Sequence, residues 1–124
     1  MSEHAEQAAL FRWAALASRA HPELRLLYAI PNGGARSKAT AGRLKAEGVR
    51  AGVPDVCLPV PRNGLGALYI ELKRPGGVPG RAKGALRPAQ REWLAALQDA
   101  GNAVAVAYGW EQARGVIERY LGVA

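Results

Sequence analysis

Two short apolar runs joined by a turn constrain the fold of this chain more than any other feature. Residues 55–60 and 67–73 have the composition of strands, and the turn residues around Asn63 predict that they form a β-hairpin. If the turn centres on Asn63, Asp55 and Glu71 lie opposite each other across the two strands. Like charges in that arrangement are destabilising, so the pair requires a compensating partner.

The two acids and a nearby lysine predict a metal site on the hairpin. Mg²⁺ takes oxygen ligands and is commonly held by one or two carboxylates, so a hard cation would offset the repulsion between Asp55 and Glu71. Lys73 follows Glu71 by two residues and therefore projects from the same strand face, within reach of a water or a phosphate. The alternative is a surface hairpin with scattered charges, because each short motif is common on its own.

The patterns around the hairpin predict an α/β fold. The predicted order is α-β-α-β-β-α-β-α, which implies a mixed four-stranded sheet flanked by helices. The chain has 124 residues, enough for one domain over 1–124. The predicted helices cover about 2–21, 37–47, 88–100 and 111–121, and the predicted strands cover 24–30, 55–60, 67–73 and 104–108.

A third acid falls on the apolar stripe of the first helix. Glu6 continues the helical spacing of Leu10, Trp13 and Ala17, so its carboxylate is expected to face the core. A buried carboxylate is costly unless it is paired or bound to a cation, which makes Glu6 a candidate metal ligand. The alternative is a frayed helix start with a solvated Glu6. Glu3, about one turn earlier, is a weaker candidate.

Gln90 is a polar residue in a similar position on a later helix. It shares a stripe with Trp93, Leu94 and Leu97 near the helix start. Glutamine at N3 often caps a helix together with a serine or threonine three residues earlier, but Arg87 occupies that position and has no acceptor oxygen. The pattern therefore favours a polar role for Gln90 in a cleft over capping alone.

The positive charge is concentrated in the middle of the chain. The net charge is +7, and residues 36–91 alone carry twelve Arg or Lys against three acids. Such a segment indicates a polyanionic partner, most commonly nucleic acid, with a solvated basic surface as the alternative.

A glycine-rich loop lies at the start of this basic segment. Asn32, Gly33 and Gly34 precede Arg36 and Lys38, so the loop offers backbone N–H groups and cations to phosphates. Its spacing differs from the GxxxxGK[ST] pattern, which argues against nucleotide hydrolysis.

The cysteine and hydropathy patterns narrow the protein class. A single cysteine, Cys57, allows no internal disulfide and fits a reducing cytosol. With only His4 and His21 beside it, a conventional structural zinc site is excluded. No apolar run approaches the roughly 20 residues needed to span a bilayer, and the N-terminus lacks the pattern of a signal peptide.

The ordered motifs resemble those of a known nuclease family. Pro54-Asp55 followed by Glu71-Leu72-Lys73 resembles the PD-(D/E)xK nuclease signature. The wider set resembles stand-alone VRR-NUC domains of phages and bacteria, which are similar in architecture to Holliday-junction resolvases. Its motifs are Asn32-Gly33-Gly34, Leu44-Lys45-Ala46-Glu47-Gly48-Val49, Gly52-Val53-Pro54-Asp55, Tyr69-Ile70-Glu71-Leu72-Lys73-Arg74, and Gln90 with Trp93-Leu94.

The resemblance implies a restriction-endonuclease-like core and cleavage of DNA with Mg²⁺ or Mn²⁺. It implies that Asp55 and Glu71 are metal ligands, with the Leu72 carbonyl as a third, and that Lys73 acts at the attacking water. Its implied roles extend to two residues on helices, the first-helix acid Glu6 as a metal ligand and the catalytic glutamine Gln90. The DNA-contacting residues are expected to be Asn32, Gly33, Gly34, Arg36, Lys38 and Arg74.

The resemblance also implies a partner and an assembly. We expect a homodimer that acts on branched or junction-containing DNA, in the cytoplasm of a bacterial cell or a phage-infected host. The alternative is a non-catalytic DNA-binding module that keeps the nuclease fold, because the basic segment predicts DNA binding equally well. The retained acids argue against that alternative, since clustered carboxylates repel phosphate unless a cation intervenes.

Overall fold

The computed structural model describes residues 1–32, 37–77 and 84–123. The order of helices and strands confirms the predicted order, with one short 3₁₀ helix in addition. The elements are α1 (Glu3–Ala17), a 3₁₀ helix (Pro22–Leu26), β1 (Tyr28–Ala29), α2 (Lys38–Ala46), β2 (Val56–Leu58), β3 (Leu68–Lys73), α3 (Pro88–Asp99), β4 (Ala103–Tyr108) and α4 (Trp110–Leu121).

The four strands form one mixed sheet in the order β1-β2-β3-β4. β1 and β2 are antiparallel, β2 and β3 are antiparallel, and β3 and β4 are parallel. In the hairpin, Val56 pairs with Ile70 and Leu58 pairs with Leu68. This is the register expected from a turn at Asn63, and it brings Asp55, one residue before β2, to the position of Glu71.

The hairpin has this register because a two-residue turn, shorter than a turn centred on Asn63 requires, is combined with a bulge. Arg62 and Leu65 exchange both backbone hydrogen bonds around Asn63-Gly64, and both central residues have positive φ, 51° and 79°. Such a two-residue turn fits the twist of a hairpin, and asparagine followed by glycine adopts it readily. Between the turn and the ladder, residues 59–61 oppose 66–67, so one extra residue on the first strand restores the predicted pairing.

Different helices cover the two faces of the sheet. Ile70 and Leu72 belong to a buried cluster with side chains of α1 and α4. Glu71 and Lys73 alternate to the opposite face, where Gln90 of α3 contacts both. The hairpin strand β3 therefore carries core side chains on one face and polar side chains on the other.

Only the last part of the strand predicted over 24–30 forms a strand. Pro22–Leu26 forms the 3₁₀ helix, and only Tyr28–Ala29 pairs with the sheet. Leu24 and Leu27 are both buried, and their three-residue spacing matches the 3₁₀ period instead of strand alternation. The prediction was wrong for residues 24–26 because a short apolar run fits a 3₁₀ helix as well as a strand.

Two other elements are shorter than predicted. α1 ends at Ala17, where the Ser18 hydroxyl donates to the Ala15 carbonyl and competes with continued helix. β2 ends at Leu58, because Pro59 and Pro61 have no N–H to donate to a ladder. Neither difference alters the placement of the acids.

The second helix packs against little of the protein. None of its residues is buried, and its cations Lys38, Arg43 and Lys45 are exposed. Its start is capped by Ser37, whose hydroxyl accepts from the Thr40 N–H. Among the helices of the described residues, none is long and apolar enough to cross a membrane.

Candidate active site

A polar cleft of about 480 Å³ lies where β2 begins and β3 ends. Because β2 and β3 are antiparallel, the first residue of β2 lies beside the last residues of β3 at one edge of the fold. Among the described residues, the charged ones that line the cleft are the acids Glu3, Asp55 and Glu71 and the cations Lys73, Arg74 and Arg87. The predicted acids and lysine are thus brought together in one concave site.

Asp55 is held in place by the backbone of the neighbouring strand. Its own N–H donates to the Ile70 carbonyl at 3.1 Å, and its Oδ2 accepts from the Leu72 N–H at 2.6 Å. Pro54 precedes it and is fully buried, so the chain entering β2 is fixed on both sides of the carboxylate. The second carboxylate oxygen, Oδ1, is left to other partners.

A hydrogen-bonded network joins the buried residues Glu71 and Gln90 to the half-buried Lys73. The Gln90 amide nitrogen Nε2 donates to Glu71 Oε2 at 3.0 Å, and its oxygen Oε1 accepts from Lys73 Nζ at 3.1 Å. The same oxygen accepts from the Arg87 N–H at 2.9 Å, which fixes which end of the amide faces Lys73. Lys73 Nζ lies 3.8 Å from Glu71 Oε2. Gln90 therefore both caps α3 and positions the lysine.

The two carboxyl groups are electrostatically unfavourable without a further cation. Burial, then the neighbouring Asp55 carboxyl, raise the pKa of Glu71 to about 8, against the opposing effect of the Lys73 ammonium. Burial also raises the pKa of Asp55, and the hydrogen bond from the Leu72 N–H offsets part of that rise. One lysine thus does not compensate both acids.

The donor set of the cleft fits a hard divalent cation. Two carboxylates converge, and the Lys73 carbonyl accepts from the Gly109 N–H on the β4 side. Successive carbonyls of a strand point to opposite edges, so the Leu72 carbonyl is directed to the β2 side, where Asp55 lies. No group of three His, Cys, Asp or Glu able to hold a metal occurs within residues 1–32, 37–77 and 84–123. Mg²⁺ tolerates such a sparse set because it keeps several water ligands.

Glu6 faces the interior, as its helical spacing predicts, but its hydrogen bond is to the start of α4 and not to a residue of the cleft. Glu6 is 3% exposed, and its Oε1 accepts from the Trp110 N–H at 2.9 Å, at the start of α4. An acid there is favourable because the N-terminal N–H groups of a helix carry partial positive charge. Glu3, the weaker candidate by sequence, is the α1 acid that lines the cleft. Metal binding by Glu6 stays a prediction.

The predicted DNA-contacting residues are divided between the cleft and its surroundings. Asn32 and Arg74 line the cleft beside the acids. Lys38 is the first residue of α2 and is exposed. Gly33, Gly34 and Arg36 were also predicted to contact DNA and lie outside the described residues.

A match to a family model extends over this entire site. Residues 3–111 match the model of the VRR-NUC domain. The chain belongs to the VRR-NUC family. This is a nuclease family, so the membership confirms the resemblance carried by the motifs. The VRR-NUC match includes both carboxylates, Lys73 and Gln90.

The fold comparison agrees with the family. A solved structure described as a VRR_NUC domain protein superimposes on this chain with a TM-score of 0.78 and 25% sequence identity. The superposition covers 100% of this chain and 91% of that one. No curated protein matches the chain.

Sequence reasoning missed one cation in this VRR-NUC cleft. The sequence analysis noted Arg87 only as a residue unsuited to capping the helix together with Gln90, yet Arg87 lines the site. The sequence did indicate this position for Arg87, because Arg87 directly precedes α3 and Gln90, which faces the cleft, lies in the first turn of the same helix. Glu3 was likewise treated as a weaker candidate than Glu6. Its position on the α1 stripe does not show that the start of α1 borders Asp55 and Glu71.

Proposed function

We propose that this VRR-NUC protein is a metal-dependent DNA endonuclease that hydrolyses phosphodiester bonds, selective for branched DNA in replication, repair or recombination. The observation that carries the proposal is a pair of carboxyls, the buried Glu71 and the half-buried Asp55, beside a lysine that a glutamine positions. This arrangement opens into a cleft lined by further cations. Phosphodiesters are polyanions, and a site for cleaving them needs both positive charge and a positioned proton acceptor.

Three groups of this chain would hold Mg²⁺ or Mn²⁺: the Asp55 and Glu71 carboxylates and the Leu72 carbonyl. The cation, when bound, supplies charge neutralisation at phosphate oxygens and lowers the pKa of a coordinated water. The Leu72 N–H donates to Asp55 Oδ2 and restrains that carboxylate, and Gln90 Nε2 donates to Glu71 Oε2 and restrains the other. Both acids are thus preorganised before substrate arrives.

Lys73 would act on the water that attacks phosphorus. Its Nζ is restrained by Gln90 Oε1, so the ammonium has two remaining protons for the water and for a phosphate oxygen. A cation fixed at this position stabilises the charge that develops during displacement. Gln90 is a positioning residue in this scheme, because it acts through Lys73 and Glu71.

Contacts to phosphates carry no sequence information, so cations around the cleft favour recognition of DNA shape and backbone. We expect Arg74 beside the acids and Lys38 on the exposed helix α2 to contact phosphates.

We also propose a homodimer that presents two clefts to one branched DNA. The aromatic residues of α4 are not free to form an interface, because Trp110 and Tyr120 both pack partly against the core and the Tyr120 hydroxyl donates to the Val60 carbonyl. Exposed apolar side chains occur instead near the edge strand β1, where Leu26 is 53% and Tyr28 48% exposed. Light scattering tests this: the mass of one chain, 13.1 kDa, with and without junction DNA would exclude the dimer.

The decisive test is cleavage of a panel of linear, nicked, flapped and four-way DNAs in Mg²⁺, Mn²⁺ or EDTA. We expect cutting of branched substrates with either metal and none in EDTA. Asp55→Ala, Glu71→Ala and Lys73→Ala should each remove most of the activity while the fold is retained. The exposed α3 acid provides a matched control, and Glu92→Gln should cut normally. Full activity in EDTA, or in Glu71→Ala, would refute the proposal.

A further inference from the structure

Arg87 occupies a position where it is unfavourable for folding. It is the N-cap residue of α3, with φ −69° and ψ 156°. N-cap positions favour Ser, Thr, Asp or Asn, whose oxygen accepts a hydrogen bond from the first turn. A guanidinium has only donors, and its charge lies at the positive end of the helix dipole. The first turn of α3 also contains no acid to offset that charge.

Arg87 is an exposed residue that lines the cleft, and its backbone is tied to the catalytic network. The Arg87 N–H donates to Gln90 Oε1, the oxygen that also holds Lys73, so the start of the side chain has a fixed position relative to the acids. Within residues 1–32, 37–77 and 84–123, its guanidinium makes no ion pair or hydrogen bond with another residue. Arg62 differs, since it pairs with Glu23 at 3.0 Å.

We propose that the Arg87 guanidinium binds a phosphate of the DNA strand that lies across Asp55 and Glu71. The inference rests on the proposed function and adds a substrate-binding residue to it. A planar guanidinium suits phosphate because two parallel N–H groups bond two oxygens at once. Arg74, directly after β3, borders the same cleft. Cations that follow β3 and precede α3 are therefore both available to the DNA strand. The loss of helix capping is offset by this contact with substrate.

Two substitutions separate binding from capping. Arg87→Ser introduces a good N-cap and removes the cation, and Arg87→Gln removes the charge with a long polar side chain. Arg119→Gln is the charge-matched control, because Arg119 lies near the end of α4 on the opposite face of the sheet. For each protein we would measure thermal unfolding, and in EDTA the affinity for a four-way DNA at several salt concentrations. Steady-state cleavage would be measured in Mg²⁺.

We expect Arg87→Ser to raise the melting temperature by a few degrees while it weakens DNA binding. Both Arg87 variants should lower the slope of log affinity against log salt by about 0.9 and raise KM more than they lower kcat. Arg119→Gln should leave the slope and KM unchanged. A purely structural Arg87 would alter the melting temperature alone.

An unchanged salt slope and KM in both Arg87 variants would overturn the inference. The same holds for an equal change in Arg119→Gln, which would indicate a nonspecific loss of charge. If the wild-type protein binds DNA but does not cut it, the proposed function fails, whereas a lowered slope in the Arg87 variants still supports the phosphate contact. A wild-type protein that binds no DNA would overturn both.

Discussion

Replacing Glu71 by glutamine should stabilise the metal-free protein at neutral and alkaline pH. The pKa of Glu71 is raised from 4.5 to about 8, so the folded protein holds this proton at pH values where the unfolded chain has released it. Stability from this group is therefore complete below pH 4.5 and is lost as the pH rises toward 8. Glutamine is neutral throughout, and its oxygen can accept the hydrogen bond from Gln90 Nε2.

The magnitude follows from the width of that pH window. Each pH unit between the two pKa values changes the folding free energy by about 1.4 kcal/mol, so the change from pH 5 to pH 7.5 is at most about 3 kcal/mol. With a urea m-value of about 1–3 kcal/mol per molar, the unfolding midpoint should shift by about 1 M or more. Glu71 is only 3% exposed, so solvent screening reduces this value little.

The assay is urea unfolding in EDTA at pH 5 and pH 7.5, for wild type, Glu71→Gln and the exposed control Glu92→Gln. Between pH 5 and pH 7.5, the wild type and the Glu92→Gln control should lose equal amounts of unfolding free energy. Glu71→Gln should lose less. Comparing the variants removes the contribution of every other titrating group. Parallel profiles for all three proteins would refute the electrostatic account of the acid pair.

Three further predictions concern the metal, the DNA and the packing of α3. Saturating Mg²⁺ at about 100 times its dissociation constant should stabilise the wild type at pH 7.5 by about 2.7 kcal/mol and Glu71→Gln by far less, as measured by unfolding. Asp55→Asn should bind branched DNA in EDTA at least as tightly as the wild type, because it removes a charge that repels phosphate; a large loss in a binding titration would contradict the placement of DNA over the acids. Gly52→Ala should lose activity and more stability than Gly48→Ala, since both have positive φ but only a Cβ at Gly52 would meet the Ala89 Cβ, at 2.7 Å, and displace the first turn of α3; equal losses in the two variants would show that the contact is unimportant.

The hairpin could be predicted because its determinants are local. Asn63-Gly64 specifies a tight turn, and alternation on Leu68–Lys73 specifies which side chains share a face. The predicted register is observed although the turn is centred half a residue later. The bulge over 59–61 compensates for the difference, and nothing in the turn motif itself indicates that bulge.

The parts of the site that sequence did not predict depend on how distant elements meet. The helical spacing of Glu6 predicts an inward side chain, but only the packing of α4 against α1 shows that it accepts from the Trp110 N–H. Gln90 was expected to have a polar role or a capping role, and its oxygen serves both because Lys73 and the Arg87 N–H converge on it. The position of Glu3 at the cleft rim likewise depends on where α1 begins relative to β2.

Because α2 has no buried residues, its sequence can change during evolution independently of the sequence of the core. A substitution in the core must fit neighbours packed at crystal-like density, whereas a change at Lys38, Arg43 or Lys45 displaces no buried atom. We expect evolutionary drift in this helix to proceed at nearly constant stability. Its charge and length can then be selected for the DNA encountered, while the carboxylates beneath the sheet edge stay fixed.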